Sequence, residues 1–268
     1  MNLYDIKDPS FLKDLSIKEL EDLSKDIRKF IVEKVSVHGG HLSGNLGIVE
    51  LTIALDRYFS NGEKLIFDVG HQCYTHKILT GRAKDFDTLR CHNGMSGFPS
   101  RSESSYDTWE VAHASTSIAA QAGMIESGIP AISIIGDGAL TGGEAFEALS
   151  YISSLKKKAI IILNDNNFSI SPNVGFIKHM LDKMRSSKSY TKLADKNRNR
   201  KKLKGFKNLI KRIFYPSNVF DEMGFKYYGP IDGHNFKEMN AEEQAAYNNY
   251  ASEYAKYSFN LANTVARR

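Results

Sequence analysis

Ala131-Ile132-Ser133-Ile134-Ile135-Gly136-Asp137-Gly138 is an apolar run that stops on an acid between two glycines. A second run, Ala159-Ile160-Ile161-Ile162-Leu163, ends in Asn164-Asp165-Asn166, so that Asn166 stands 29 residues after Asp137. Isoleucine-rich runs without polar alternation are the mark of central parallel strands covered on both faces. Gly143 to Leu155, between them, reads as a helix. A right-handed crossover of this kind returns both strand ends to the same carboxyl edge. The predicted fold class is therefore α/β, a mostly parallel sheet with helices on both faces. At the shared edge Asp137 and Asn166 offer two hard oxygen donors, and the neighbouring glycines let an anion approach the backbone. That combination suits an octahedral Mg²⁺ whose shell is completed by a diphosphate.

Outward from this pair, Ser16-Ile17-Lys18-Glu19 is a capping-box pattern, and Ile17, Leu20, Leu23, Ile27 and Ile31 then recur at helical spacing. The spacing predicts a long helix ending near His38-Gly39-Gly40. Ile48 to Tyr58 predicts a second helix, Lys64 to Val69 a short buried strand, and Ser115 to Ser127 a helix rich in small residues. Asn240 to Arg268 predicts a polar helix in which Tyr247, Tyr250, Tyr254, Tyr257 and Leu261 share a face. That face either docks on the domain's own core or seeks a partner.

Composition sets outer bounds. A chain of 268 residues with 41% hydrophobic and 11% aromatic content is long enough for one large α/β domain. No run approaches the roughly 18 apolar residues needed to cross a membrane, and Met1 to Asp5 lacks a basic-then-apolar leader, so a cytoplasmic protein without membrane contact is expected. Cys73 and Cys91 are too few for a disulfide framework and are expected as buried or partly buried free thiols. Fourteen Lys or Arg against two Asp lie between Lys178 and Arg212, a local balance of +12 that leaves about −7 for the rest of a chain whose net charge is +5. Few aromatics are interleaved there for base stacking, which argues for a solvated, mobile surface loop and against a nucleic-acid partner.

The interval between Gly136-Asp137-Gly138 and Asn166 resembles the thiamine-diphosphate motif of the transketolase superfamily. Five segments narrow the likeness: GDGALTGGEAFEA (136–148), LNDNNFSISPNV (163–174), DVGHQCYTHKILTGR (68–82), GMSGFPSRSE (94–103) and GPIDGH (229–234). Together they resemble the 1-deoxy-D-xylulose-5-phosphate synthase family over about residues 10–238. The resemblance implies a thiamine-diphosphate-binding fold over residues 1–239, with 178–212 a mobile basic insertion and 240–268 a helical tail that departs from the family. It also implies the cofactors thiamine diphosphate and Mg²⁺, and the condensation of pyruvate with D-glyceraldehyde 3-phosphate, releasing CO₂, in the supply of isoprenoid, thiamine and pyridoxal precursors.

Roles follow from the resemblance residue by residue. Asp137 and Asn166 match the side-chain metal ligands, and the carbonyl of Phe168 matches a third; Gly138 and Ala139 match the backbone under the diphosphate. His41 and His71 match two histidines that face thiamine and its bound substrate, His71 being a cofactor contact as well. Proton transfers at hydroxyl oxygens suit imidazole, which changes charge near neutral pH. His38, His76, His92 and His179 read as surface or satisfied polar groups. Ala112-His113-Ala114 matches a Gly-His-Ser segment whose backbone lies against the cofactor; a positive φ at Ala112 would strain it by roughly 1 kcal/mol or more. Asn167-Phe168 replaces the usual Glu-Met.

Family members run to more than twice this length. The resemblance assigns to their further domains the glutamate that protonates the aminopyrimidine and the arginines that hold the aldehyde's phosphate. The chain alone is therefore expected to be incomplete as a catalyst, to self-associate, and to need a second chain if one carries those domains. Two other readings stay open: the first subunit of a two-chain transketolase, and a non-catalytic cofactor-binding or interaction protein.

Overall fold

Helix α1 (Ile17–His38) begins where its sequence says it should. The Ser16 Oγ accepts the Glu19 N–H at 3.3 Å while the Glu19 carboxylate accepts the Ser16 N–H at 2.7 Å, closing a capping box that satisfies two otherwise orphaned donors. Leu20, Leu23, Ile27 and Ile31 lie buried along one face, each contributing about 1.5–3 kcal/mol relative to exposure. The helix stops at Gly39, whose φ of 74° favours glycine and whose N–H returns to the Val35 carbonyl at 2.9 Å. The structure is a computed structural model describing residues 1–59, 63–110, 112–155, 157–165, 219–239 and 259–265.

After α1 come two helices, α2 (Leu42–Leu46) and α3 (Val49–Tyr58), then strand β1 (Lys64–Asp68) and the short helix α4 (Tyr74–Lys77). A turn-rich stretch leads to α5 (Ser117–Glu126), β2 (Ala131–Gly136), α6 (Asp137–Leu140), α7 (Gly143–Ser154) and β3 (Ala159–Asp165). Helix α8 (Val219–Glu222) precedes β4 (Lys226–Ile231), and β5 (Phe259–Val265) comes last. The five-stranded sheet has the order β1-β2-β3-β5-β4, with every neighbouring pair parallel.

Successive strand residues point to opposite faces, and the buried isoleucines divide accordingly. Ile132, Ile134, Ile160 and Ile162 join a core with Ile27 and Ile31 of α1 and Ile53 of α3. Ile135, Ile161 and Leu163 join a second core with Ile118 of α5 and Leu149 of α7. Both faces of β2 and β3 are therefore dry, which is why their sequences do not alternate. Gln121, fully buried on α5, fastens that helix to the sheet through its side-chain amide, which donates to the carbonyls of Ala131 and Ile160 at 2.8 and 2.7 Å.

One element departs from its sequence reading. Residues 259–265, expected as part of a helical tail, form strand β5 between β3 and β4. The helical stripe competed with a row of backbone groups along β3 from Ala159 to Asp165, and the strand that pairs with them satisfies donors and acceptors that a docked helix leaves open. Tyr247, Tyr250, Tyr254 and Tyr257, like the basic segment 178–212 and His179, lie outside the described residues.

The GPIDGH segment is tied back to the first helices. His234 Nδ1 lies 2.7 Å from a Glu50 carboxylate oxygen on α3, and Arg28 of α1 pairs with that carboxylate while donating to the Leu46 carbonyl at 2.8 Å. This junction fixes the end of α2, the helix that starts at His41.

Candidate functional site

The carboxyl ends of three adjacent strands converge. Asp68 of β1 pairs with Ile135 of β2, and Gly136 of β2 with Asn164 of β3. Asp137 follows immediately, buried at the first position of α6. Gly136 has open space where a side chain would stand. The N–H groups of Gly138 and Ala139 sit in the first turn of α6, where helical geometry supplies no intrahelical acceptor. Asn166 and Phe168, expected as the other metal ligands, lie outside the described residues. Among the described residues no three His, Cys, Asp or Glu side chains gather as a metal cage.

The loop at 112–116 is fixed to this edge by contacts that motif matching did not reveal. The Asp68 carboxylate, almost fully buried, accepts the N–H groups of Ser115 and Ser117, each at 3.0 Å. An anion at the start of α5 also complements that helix's dipole. Ser115 adopts a φ of 77°, and its hydroxyl donates to the Ala139 carbonyl at 2.6 Å. Gly142 makes room for it, since an added Cβ would come 2.0 Å from the Ser115 Oγ. The condition for strain at Ala112 is not met: the positive φ in this loop belongs to Ser115, which is anchored through its N–H and its hydroxyl. Ala112, His113 and Ala114 are exposed, carried on this anchored loop.

His41 and His71 do come together. Their ring centroids are 4.8 Å apart at an interplanar angle of 45°. Asn45, fully buried, is the tie: its amide nitrogen donates to the carbonyls of His41 and His71 at 2.6 and 2.8 Å, and its oxygen accepts the Tyr74 N–H at 2.9 Å. Gly44 keeps the space clear, since a Cβ there would stand 3.0 Å from His71 Nε2. Burial, with the Arg90 charge adding to it, holds the His41 pKa below the ordinary imidazole value. Burial and then the neighbouring His41 do the same for His71. Both shifts favour the neutral ring, in which one nitrogen donates and the other accepts. Among the described residues His41 Nδ1 is a buried ring nitrogen with no hydrogen-bond partner.

Asn45 and Asp68 received no role from the sequence, although Asp68 opens one of the segments singled out there. The available signal was positional: Asp68 closes a buried strand at the carboxyl edge, and Asn45 is a polar residue on the inward side of a short helix. His76 meets its bland reading in part: Nδ1 lies 2.9 Å from both oxygens of the buried Asp56, while among the described residues the buried Nε2 has no hydrogen-bond partner. Cys73 is buried, and burial pushes its thiol up to about 12. Cys91 is exposed, a correction to the expected burial: it sits on the turn between Leu89 and Met95, whose side chains enter the core while its own does not.

A family model described as 1-deoxy-D-xylulose-5-phosphate synthase matches residues 3–250. The chain belongs to the 1-deoxy-D-xylulose-5-phosphate synthase family. It is 49% identical over 257 residues to the synthase of Macrococcus caseolyticus, covering 89% of this chain and 41% of that relative. The synthases of Exiguobacterium sibiricum and a Geobacillus species are 47% and 48% identical, with the same coverage of each. The chain thus spans about two fifths of the length of the curated synthases it matches. In shape it resembles a transketolase from Campylobacter jejuni (TM-score 0.63, 20% identity, 93% of this chain and 38% of that one). A transketolase from Leishmania mexicana gives a TM-score of 0.61 at 16% identity, covering 91% and 36%. At those identities the likeness speaks for the fold alone, and it agrees with the parallel sheet expected from the sequence. Among the described residues no helix is long and apolar enough to cross a membrane.

Proposed function

We propose that this chain supplies the diphosphate- and metal-binding half of a site for the synthase reaction, in which pyruvate and D-glyceraldehyde 3-phosphate condense to 1-deoxy-D-xylulose 5-phosphate and CO₂. The observation that carries the reading is the buried Asp137 at the carboxyl end of β2, beside the open Gly136 and the anchored Ser115–Ala139 contact. The residues present fit the family's cofactor pair, thiamine diphosphate with Mg²⁺. A hard anionic oxygen and helix-start N–H groups, which have no intrahelical acceptor, are the donor set that metal and diphosphate require.

Asp137, with Asn166 and the Phe168 carbonyl, would hold the metal, and the N–H groups of Gly138 and Ala139 would meet the diphosphate. Ala112, His113 and Ala114 would line the cofactor from the loop that Asp68 anchors. When bound, thiamine diphosphate supplies the electron sink for loss of CO₂. His41 and His71 move protons at the substrate's hydroxyl oxygens, accepting at one ring nitrogen and donating at the other, for which neutral imidazoles are suited. Self-association and assembly with a chain carrying further domains belong to the same proposal.

Asp137→Ala tests it. Calorimetric titration with thiamine diphosphate at fixed Mg²⁺ should show loss of metal-dependent binding, with the thermal unfolding transition retained. Unchanged affinity would remove the metal assignment.

A further inference from the structure

Behind the histidine pair lies a buried ion cluster that the proposed chemistry does not use. Helix α4 carries Tyr74 at one end and Lys77 at the other, both fully buried. Lys77 Nζ donates to Glu103 at 2.5 Å and stands 3.9 Å from Asp107. Arg82 grips Asp107 with both terminal nitrogens, at 2.6 and 2.7 Å, and lies 3.5 Å from Glu103. Each carboxylate also takes a backbone donor from one segment: Glu103 accepts the Ser96 N–H at 2.6 Å, and Asp107 accepts the Ser100 N–H at 2.7 Å.

Ser96 and Ser100 bracket Phe98. The Phe98 ring meets His41 at a centroid distance of 5.8 Å and an interplanar angle of 65°, and the Phe98 N–H donates to the Ser96 hydroxyl at 3.1 Å. Tyr74 reaches the same histidine from the other end of α4, its hydroxyl 3.5 Å from the His41 N–H. One short helix therefore touches His41 through Tyr74 and holds, through Lys77, the segment that covers it.

For stability alone, apolar side chains of similar volume serve as well as a buried ion cluster, or better. What charge pairing adds is geometry. Both carboxylates are satisfied together only when the cations and the two backbone N–H groups occupy one arrangement. We propose that Lys77 and Arg82, acting through Glu103 and Asp107, are positioning residues that press Phe98 against His41 and keep that imidazole shielded from water beside His71. The consequence for catalysis rests on the reading of His41 as a proton-handling residue; the positioning itself does not.

Imidazole resonances of the full 268-residue chain, followed by NMR across pH, measure this without cofactor or substrate. Among the described residues the charged and titratable groups facing His41 are His71, Arg90 and the Tyr74 hydroxyl, all retained in every variant. In Lys77→Met and in Glu103→Gln, His41 titrates at higher pH than in the parent, closer to an ordinary imidazole, and its ring-proton resonances move as the Phe98 ring withdraws. Phe98→Ala reproduces both changes, and adding Lys77→Met to it produces no further shift. If Lys77→Met does not fold, Glu103→Gln, at the most exposed member of the cluster, decides together with Phe98→Ala. A His41 titration unchanged in the folded variants, with only the melting temperature lowered, overturns the proposal and leaves the cluster a structural one. Either outcome is independent of the Asp137→Ala titration, so failure of one reading is distinguishable from failure of the other.

Discussion

At Gly142 a single methyl decides whether two loops can meet. An alanine there would place its Cβ 2.0 Å from the Ser115 Oγ, and that hydroxyl is committed to the Ala139 carbonyl. Gly142→Ala is expected to cost about 1–3 kcal/mol in urea unfolding, the usual range for overpacking, and to weaken cofactor binding in addition. A variant as stable as the parent would show that the Ser115 contact is dispensable. The histidines set a pH dependence. His41 and His71 hold protons less readily folded than unfolded, so the unfolded chain binds more protons as pH falls through the ordinary imidazole value of 6.5. Their contribution is therefore whole above that value, is lost as pH drops below it, and levels off beneath the folded values. His41→Asn and His71→Asn should flatten this acid limb in melting temperatures taken between about pH 8 and pH 5. His76 works in the opposite sense. Burial disfavours its charge, but the Asp56 carboxylate prevails and raises its pKa, so the stability of that pair is present at low pH and lost as pH rises through the folded value.

Single elements read from the sequence according to how local their signals are. The start of α1 was legible because Ser16 and Glu19 lie within one turn and cap each other's backbone. Ser16→Ala is expected to cost about 0.5–2 kcal/mol, measured as a lower denaturation midpoint with an unchanged slope. A change within error would mean that water replaces the cap without loss. Strands β2 and β3 were legible for a related reason, since burial on both faces leaves no polar alternation to obscure them. Strand β5 was not, because a strand's identity depends on the edge it meets. Its residues Phe259 to Val265 pair along the whole length of β3, which lies about a hundred residues earlier in the chain.

At the scale of the whole fold, these 268 residues match 41% of the length of the Macrococcus caseolyticus synthase, and the candidate site is built from one sheet edge. The 268 residues alone should form no more than trace 1-deoxy-D-xylulose 5-phosphate from pyruvate and glyceraldehyde 3-phosphate, because general acid–base assistance of the kind assigned to the family's further domains is worth about 10² to 10⁴ in rate. Adding a chain that carries those domains should raise turnover. Full activity without it would contradict the division of the site, and silence in both conditions would favour a binding protein. The sequence by itself determined the parallel sheet, the cap of α1, the order of the motifs and the pairing of Asp137 with a strand end, because each of these is written within a few neighbouring residues. Only the tertiary structure decided that Asp68 anchors the loop at Ser115, that Asn45 joins the two histidine turns, and that residues 259–265 enter the sheet. Those choices depend on which backbone donors and acceptors remain unpaired once the strands have assembled, and no single window of sequence contains both partners.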